Sequence, residues 1–214
     1  MDICEFSKSF DTKVKVKHLG TTDYRDTLTR MQAFSCNRTE FTLDELWLVE
    51  HHSVFTLGSS GDVRHLRNKT TNINIVKSDR GGHITYHGPG QLIVYTLINL
   101  RQLNISIRDF IRGLERSVID LLHTYGITAS GSINNPGVYV EGAKIASLGL
   151  RIKNGCCYHG LSLNISMDLS PFDSINPCGI VGLPVTQMTS LGIPNDKERI
   201  GKNLVQNILS FLYD

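Results

Sequence analysis

The stretch from residue 80 to residue 98 constrains the fold more than any other part of the sequence. Its second half, residues 92–98, is a continuous apolar run of strand length that is rich in β-branched side chains, which predicts a buried strand. Its first half, residues 80–91, contains four glycines, and glycine lets a backbone come close to a ligand. The stretch therefore predicts a rigid strand that presents a polar, glycine-lined wall, although two ordinary turns around a core strand would share the pattern.

The sequence also predicts two amphipathic helices. The first begins at Ser106, a typical N-cap with Asp109 three residues later, and ends before Gly126. The second begins at about Lys197. Their apolar faces consist of Ile107, Phe110, Ile111, Leu114, Val118, Leu121 and Leu122 in the first helix and Ile200, Leu204, Ile208 and Leu212 in the second.

The other segments predict further strands and loops around this core. Residues 1–12 have no clear period and are expected to be a loose lead-in. The remaining predictions are strands at 14–19, 137–140, 144–152 and 158–166, a helix at about 23–34, extended chain at 46–57, a turn at 58–61, a loop or short helical turn at 62–74, and a loop at 177–194. Strands with interspersed helices predict an α/β or α+β layer fold, with a mixed β-sheet and flanking helices.

Composition limits the classes of protein that the chain can represent. Its 214 residues are enough for one substantial core and show no shift in composition, which predicts a single domain over residues 1–214. The 22 basic and 20 acidic residues are scattered, so nucleic acid is not an expected partner. No apolar run is long enough to cross a bilayer, and the first residues lack the order of a signal peptide. We therefore expect a cytoplasmic protein whose five cysteines are reduced.

Cys178 is the candidate nucleophile. It lies between Pro177 and Gly179, a setting that predicts a turn and not a regular helix or strand. Lys144, at the entrance of a predicted strand, carries the positive charge that would favour a reactive thiolate. Distance along the chain says nothing about contact, so from these residues alone an inert cysteine and a solvated lysine remain open.

Several segments together resemble the lipoyl(octanoyl) transferases, which move an octanoyl group from acyl carrier protein onto a lysine of lipoyl domains. The resemblance rests first on the glycine-rich residues 80–91, on Lys144 to Gly149, and on the Asn176-Pro177-Cys178-Gly179 motif. It continues through residues 44–51, 136–140, 148–152, 158–164 and 167–172, and covers nearly everything from about residue 40 to residue 188.

The resemblance implies a fold, a site and partners. The fold would be the catalytic fold of biotin and lipoate protein ligases. Cys178 would become acylated and Lys144 would tune it. The substrate would be bound by Arg80, Gly81, Gly82, His83, Ile84, Thr85, Tyr86, His87, Ser147, Leu148, Gly149, Gly160, Leu161 and Ser162.

The resemblance also implies the first step of endogenous lipoate assembly. No cofactor is expected, because the acyl group arrives on the phosphopantetheine of acyl carrier protein. The acceptors would be lipoyl domains of 2-oxoacid dehydrogenase complexes and the H protein of the glycine cleavage system. A monomer without a membrane partner is expected.

Three details of the site stay open at this level. The oxyanion of a tetrahedral intermediate needs donors, which backbone amides near Gly149 or the side chain of His87 would supply; His87 is favoured over His83 because it adjoins the glycine-proline turn. Arg80 either orients a carbonyl or phosphopantetheine oxygen or braces its own loop. His159 is more simply read as a satisfied core or loop histidine than as a catalytic group.

A metal site is disfavoured. Cys156, Cys157 and His159, with Cys178 as a fourth ligand, would supply suitable atoms. Adjacent cysteines lack the usual spacing of zinc ligand pairs, however, and recruiting Cys178 would sacrifice the nucleophile.

Two other functions compete with octanoyl transfer. An ATP-dependent lipoate or biotin protein ligase on the same fold would activate a free acid and need no acyl-cysteine, which the motif around Cys178 argues against. A non-catalytic module that binds acyl groups or carrier proteins would have no need for both Cys178 and Lys144.

Overall fold

A seven-stranded sheet forms the centre of the structure, a computed structural model that describes residues 13–66 and 72–213. The lead-in predicted for residues 1–12 lies outside the described residues, as does part of the loop predicted for residues 62–74. The strands are β1 (Val14–Thr22), β2 (Asp44–His51), β3 (Val54–Leu57), β4 (Asn74–Lys77), β5 (Ile84–His87), β6 (Gln91–Asn99), β7 (Ser130–Gly131), β8 (Gly137–Val140), β9 (Ala143–Lys153) and β10 (Cys156–Asn164).

The apolar run of residues 92–98 is the centre of strand β6, as predicted. The order of the large sheet is β1-β2-β6-β10-β9-β8-β7, in which only β1 and β2 run parallel. Strand β6 therefore has a partner on each side: Tyr95 lies opposite Trp47 of β2 and opposite Gly160 of β10. With both edges paired and both faces covered, β6 is a rigid support for the segment that precedes it.

Helices cover both faces of the large sheet. They are α1 (Tyr24–Cys36), the short α2 (Leu100–Leu103), α3 (Ile107–His123) and α4 (Lys197–Tyr213). Because side chains alternate along a strand, Val94 of β6 belongs to the core that holds α3 and α4, whereas Ile93 and Tyr95 pack in a second cluster with Met31 of α1. The N-cap predicted at Ser106 forms: its side chain accepts a hydrogen bond from the backbone N–H of Asp109 at 3.1 Å.

A second, three-stranded sheet was only partly predicted. Its order is β4-β3-β5, and it packs its own apolar cluster around Phe55, Tyr86 and Phe172. The extended chain predicted at 46–57 is two strands, one in each sheet. Strand β4 was missed because its four residues are polar or exposed except Val76, so the segment lacks a buried face.

The mixed sheets with flanking helices confirm the predicted fold class. Within residues 13–66 and 72–213, no helix combines the length and apolarity needed to cross a membrane.

Candidate active site

A cavity of about 230 Å³ lies where β5, β6, β9 and β10 approach the turn that contains Cys178. Of the residues singled out from sequence, the cavity is lined by Arg80, Gly82, His83, Ile84, Thr85, His87, Lys144, Ser147, Leu148, Gly149, Gly160, Leu161, Ser162 and Cys178. Several further lining residues were not predicted from the sequence: Tyr24, Ile93, Tyr95, Asn134, Asn135 and Pro136. His159 also lines the cavity, although the sequence favoured a core or loop histidine.

Cys178 and Lys144 are in direct contact in this cavity. The Lys144 Nζ donates to the Cys178 Sγ at 2.8 Å, although the two residues are 34 positions apart in the chain. Cys178 occupies a 3-10 turn, Pro177–Gly179, in the left-handed conformation with φ of +58°, which is rare for a residue with a side chain and concentrates at functional sites. The turn predicted for Cys178 therefore presents its thiol to the lysine.

The surroundings of Lys144 fix both its backbone and its side chain. Its backbone N–H donates to the carbonyl of Pro184 at 2.8 Å, and its own carbonyl accepts from Thr186 at 2.9 Å. Its Nζ also donates to the carbonyl of Pro136 at 3.1 Å. Only 2% of Lys144 is exposed, so its side chain is not the solvated one that its sequence context alone would favour.

Arg80 braces the loop to which it belongs. Its Nη2 donates to the carbonyl of Thr56 at 2.7 Å and to the carbonyl of His83 at 2.9 Å, and its Nη1 donates to the carbonyl of Gly81 at 3.0 Å. These bonds favour the bracing alternative over direct orientation of the substrate. Burial lowers the pKa of Arg80, and the nearby Tyr24, Tyr95 and Cys178 act in the opposite direction. Arg80 and Cys178 both line the cavity.

Replacing Arg80 by Lys tests the bracing role. A lysine ammonium is a compact charge that cannot present the planar fork needed for acceptors on Thr56, Gly81 and His83. We expect the free energy of unfolding to fall by about 2 kcal/mol or more in R80K, because buried acceptors lose charged donors. Chemical denaturation measures this loss; an unchanged midpoint and slope would contradict the bracing role.

His87 is buried and neutral. Burial, with smaller contributions from His51 and Arg80, lowers the pKa of His87 to about 3. Its Nδ1 lies 2.7 Å from Oε1 of Gln91, whose Nε2 donates to Asn164, so Nδ1 carries the proton. The Nε2 of His87 then has no proton to donate, which is against its proposed role as an oxyanion donor.

His83, which the sequence disfavoured relative to His87 as an oxyanion donor, lies close to the turn of Cys178. A Cβ placed on Gly179, the residue after Cys178, would be 3.5 Å from the His83 Nε2. The ring also meets that of His65 edge-on at 5.5 Å between centroids. Sequence position could not reveal this, since residues 65, 83 and 179 meet only in the folded chain.

His159 lines the cavity and is held by Asp79. Its backbone is left-handed, with φ of +63°, and its ring stacks on that of Tyr158 with 5.1 Å between the ring centroids. The Nε2 lies 2.8 Å from Oδ1 of Asp79, while Nδ1 is buried without a hydrogen-bond partner in the described part of the chain. Burial lowers the pKa of His159, and Asp79 acts in the opposite direction. The histidine that was predicted to have its hydrogen bonds satisfied is bonded at one ring nitrogen only.

Gly81 and Tyr86, which were predicted to bind the substrate, do not line the cavity. The ring of Tyr86 packs between Phe55 and Phe172, each at 5.6 Å, because alternation in β5 turns it toward the core of the small sheet. Gly81 instead donates its backbone N–H to the carbonyl of Leu150 at 2.8 Å and so joins the loop to β9. Both residues therefore stabilise the segment that lines the cavity without lining it themselves.

The cysteine doublet differs from Cys178. Burial raises the pKa of Cys157 to about 12, and its thiol donates to the carbonyl of Thr96 at 3.2 Å. Within the described ranges, no three His, Cys, Asp or Glu side chains are grouped so that they could hold a metal ion. Cys157 therefore lacks the environment of a nucleophile.

Comparison with known proteins was made on sequence and on structure. Residues 23–208 match the family description "Lipoyl protein ligase A/B catalytic domain". The octanoyltransferase of Laribacter hongkongensis (strain HLHK9) is 54% identical over 193 residues, which cover 90% of this chain and 93% of that protein. Among solved structures, the bipartite lipoate protein ligase of Thermoplasma acidophilum matches with a TM-score of 0.76 at 15% identity, over 94% of this chain and 84% of that one. Biotin protein ligase from Aquifex aeolicus matches with a TM-score of 0.55 at 13% identity, over 94% and 69%.

Proposed function

Since the chain belongs to the octanoyltransferases, within the family of lipoyl protein ligase A/B catalytic domains, we propose that it moves an octanoyl group from acyl carrier protein to a lysine of lipoyl domains. The acceptors are lipoyl domains of 2-oxoacid dehydrogenase complexes and the glycine cleavage H protein. The observation that carries the proposal is the contact of 2.8 Å between the Lys144 Nζ and the Cys178 Sγ. Cys178 holds the acyl group between two half-reactions, and Lys144 moves the protons.

In the first half-reaction, the thiolate of Cys178 attacks the carbonyl carbon of the donor thioester. The tetrahedral intermediate collapses by breaking the bond to the phosphopantetheine sulfur, which takes a proton from the Lys144 ammonium as it leaves. Exchange of one thioester for another is nearly balanced in energy, so a thiolate suits this step better than a serine hydroxyl. The contact with the ammonium favours the thiolate, and Arg80 adds positive charge nearby.

In the second half-reaction, the acceptor lysine attacks the acyl-cysteine. Neutral Lys144 first takes one proton from the acceptor ammonium, which frees the amine to attack. Collapse of the tetrahedral intermediate breaks the carbon–sulfur bond, a second proton leaves to solvent, and the Cys178 thiolate returns to its contact with the Lys144 ammonium. The step is favourable because an amide is more stable than a thioester.

The cavity wall suits an aliphatic chain. The apolar residues Ile84, Ile93, Leu148 and Leu161 are among those that line it, and burying the apolar surface of the acyl chain there stabilises the bound group by about 25 cal/mol per Å². Glycines 82, 149 and 160 let backbone approach the chain. We assign the octanoyl group to this cavity, with its carbonyl at Cys178.

The contact between Cys178 and Lys144 also favours the proposed function over its rivals. An ATP-dependent ligase activates a free acid with a nucleotide and has no use for a cysteine held against a buried lysine. The likeness to lipoate and biotin protein ligases concerns the fold and not the chemistry, since the identities are 15% and 13%. A non-catalytic binding module would likewise gain nothing from the cost of burying a lysine ammonium beside a thiol.

Transfer without nucleotide is the first expected result. The dialysed enzyme, treated with EDTA and an ATP-degrading enzyme, should transfer octanoate from octanoyl-acyl carrier protein to a lipoyl domain at an unchanged rate, because the thioester already carries the activated acyl group. Intact-mass analysis of the lipoyl domain measures the product. The comparison reaction contains free octanoate, ATP and magnesium. If product forms only in that reaction, the protein is an ATP-dependent ligase.

A further inference from the structure

Glu115 is a buried acidic residue for which the proposed reaction has no use. It lies on α3 among the apolar residues of that helix and is 7% exposed. Within the described ranges it takes part in no salt bridge. A buried carboxylate is costly unless its oxygens are hydrogen-bonded, so the partners of this one indicate what it does.

The Glu115 carboxylate bonds one end of a loop and lies close to the other. Oε1 of Glu115 accepts a hydrogen bond of 2.8 Å from the backbone N–H of Gly137, at the start of β8. A Cβ on Gly131, at the end of β7, would be 2.8 Å from Oε2 of the same carboxylate. Strands β7 and β8 pair with each other, so Gly131 and Gly137 flank the loop 132–136 that joins them. The Glu115 carboxylate is therefore close to both ends of this loop.

This loop reaches the catalytic pair. Asn134, Asn135 and Pro136 line the cavity, and the carbonyl of Pro136 accepts from the Lys144 Nζ at 3.1 Å. Gly137 packs against the same side chain, since a Cβ at this position would clash with the Lys144 Cε. The residue whose N–H is bonded to Glu115 is therefore the one against which the side chain of Lys144 rests.

We propose that Glu115 is a positioning residue for the catalytic lysine: by holding the N–H of Gly137, it fixes the Pro136 carbonyl and hence the direction in which the Lys144 Nζ points at Cys178. The inference rests on the proposed roles of Lys144 and Cys178. What matters is the hydrogen-bond acceptor of Glu115 and the length of its side chain, and not its charge. An isosteric acceptor should replace it, and a shorter carboxylate should not.

Two substitutions separate reach from charge. Glu115→Gln keeps an acceptor oxygen at the same distance and removes the charge, whereas Glu115→Asp keeps the charge and withdraws the oxygen from Gly137 by one methylene. Ser117→Ala is the matched control, because Ser117 is also buried on α3 but bonds within its own helix, to the carbonyl of Gly113. The readouts are kcat for octanoyl transfer and the pH dependence of alkylation at Cys178, resolved by peptide mass with exposed Cys36 as internal reference.

We expect E115Q and S117A to keep kcat within about twofold of the parent and to keep the same alkylation midpoint at Cys178. We expect E115D to lower kcat by about tenfold or more and to move the midpoint upward by about one pH unit, because the ammonium is displaced from the thiolate. An E115D protein with the parental midpoint, an E115Q protein as impaired as E115D, or an equal shift in S117A would each overturn the inference.

Lys144→Met, measured in the same series, keeps this test apart from that of the proposed function. If K144M shifts the midpoint and E115D does not, the positioning role of Glu115 fails while the catalytic pair stands. If K144M leaves the midpoint in place, the pair itself fails and the inference fails with it.

Discussion

Replacing Cys178 by Ser should give a folded protein that still binds octanoyl-acyl carrier protein and transfers almost no octanoyl group. Serine has nearly the same size as cysteine, but its hydroxyl is far less acidic, and the contact with the Lys144 Nζ at 2.8 Å cannot supply the anion that attacks the thioester. We expect kcat to fall by roughly three or more powers of ten, as happens when a catalytic nucleophile is removed. Steady-state transfer to a lipoyl domain measures the fall, and binding of the carrier protein shows that the fold is kept.

The parent enzyme, treated with octanoyl-acyl carrier protein alone, should carry one octanoyl adduct on Cys178. Adding a lipoyl domain should discharge it, and the kinetics should be ping-pong. Peptide mapping of the trapped species locates the adduct, with the other thiols as controls: Cys157 is buried and protonated, and Cys36 is exposed on the surface. An acyl group on Cys156 or Cys157, or full activity in C178S, would show that Cys178 has been misassigned.

The elements of this fold were predictable wherever a local period or a cap was strong. The strand at residues 92–98, the N-cap at Ser106 and the helix from Lys197 all follow from short-range patterns. Strand β4 lacks such a pattern, because its stability comes from its pairing with β3 and not from a buried face of its own. Local sequence carries no record of that pairing.

In the candidate active site, too, local features could be predicted from the sequence and long-range contacts could not. The turn at Cys178 was readable from its proline and glycine, but its contact with Lys144 was not, since the two residues meet through the sheet and through the backbone bonds of Lys144 to Pro184 and Thr186. The sequence also could not predict which side chains of residues 84–87 face the cavity. The register of β5 determines this, because it turns Tyr86 toward the core of the small sheet and His87 toward the cavity. Glu115 gave no sequence signal beyond a charge on the apolar face of a helix.

Replacing Lys144 by Met should lower kcat by roughly two or more powers of ten, the usual contribution of general acid and base catalysis. Methionine fills much of the same space beside Gly137 but offers no donor to the Pro136 carbonyl and no proton to the leaving thiol. The alkylation of Cys178 should also require higher pH. An ammonium 2.8 Å from the sulfur stabilises the charged thiolate and not the neutral thiol, so its removal moves the midpoint upward.

Lys153→Met is the matched control, because Lys153 lies at the end of the same strand and its Nζ is 3.7 Å from the sulfur of another cysteine, Cys36. This pair is exposed, so solvent screens the charge and only a small change in the alkylation of Cys36 is expected, with octanoyl transfer unaffected. The contrast tests burial as the reason why one lysine–cysteine contact is expected to be catalytic and the other is not. Equal effects of K144M and K153M on Cys178, or a K144M enzyme with the parental kcat and pH profile, would remove Lys144 from the mechanism.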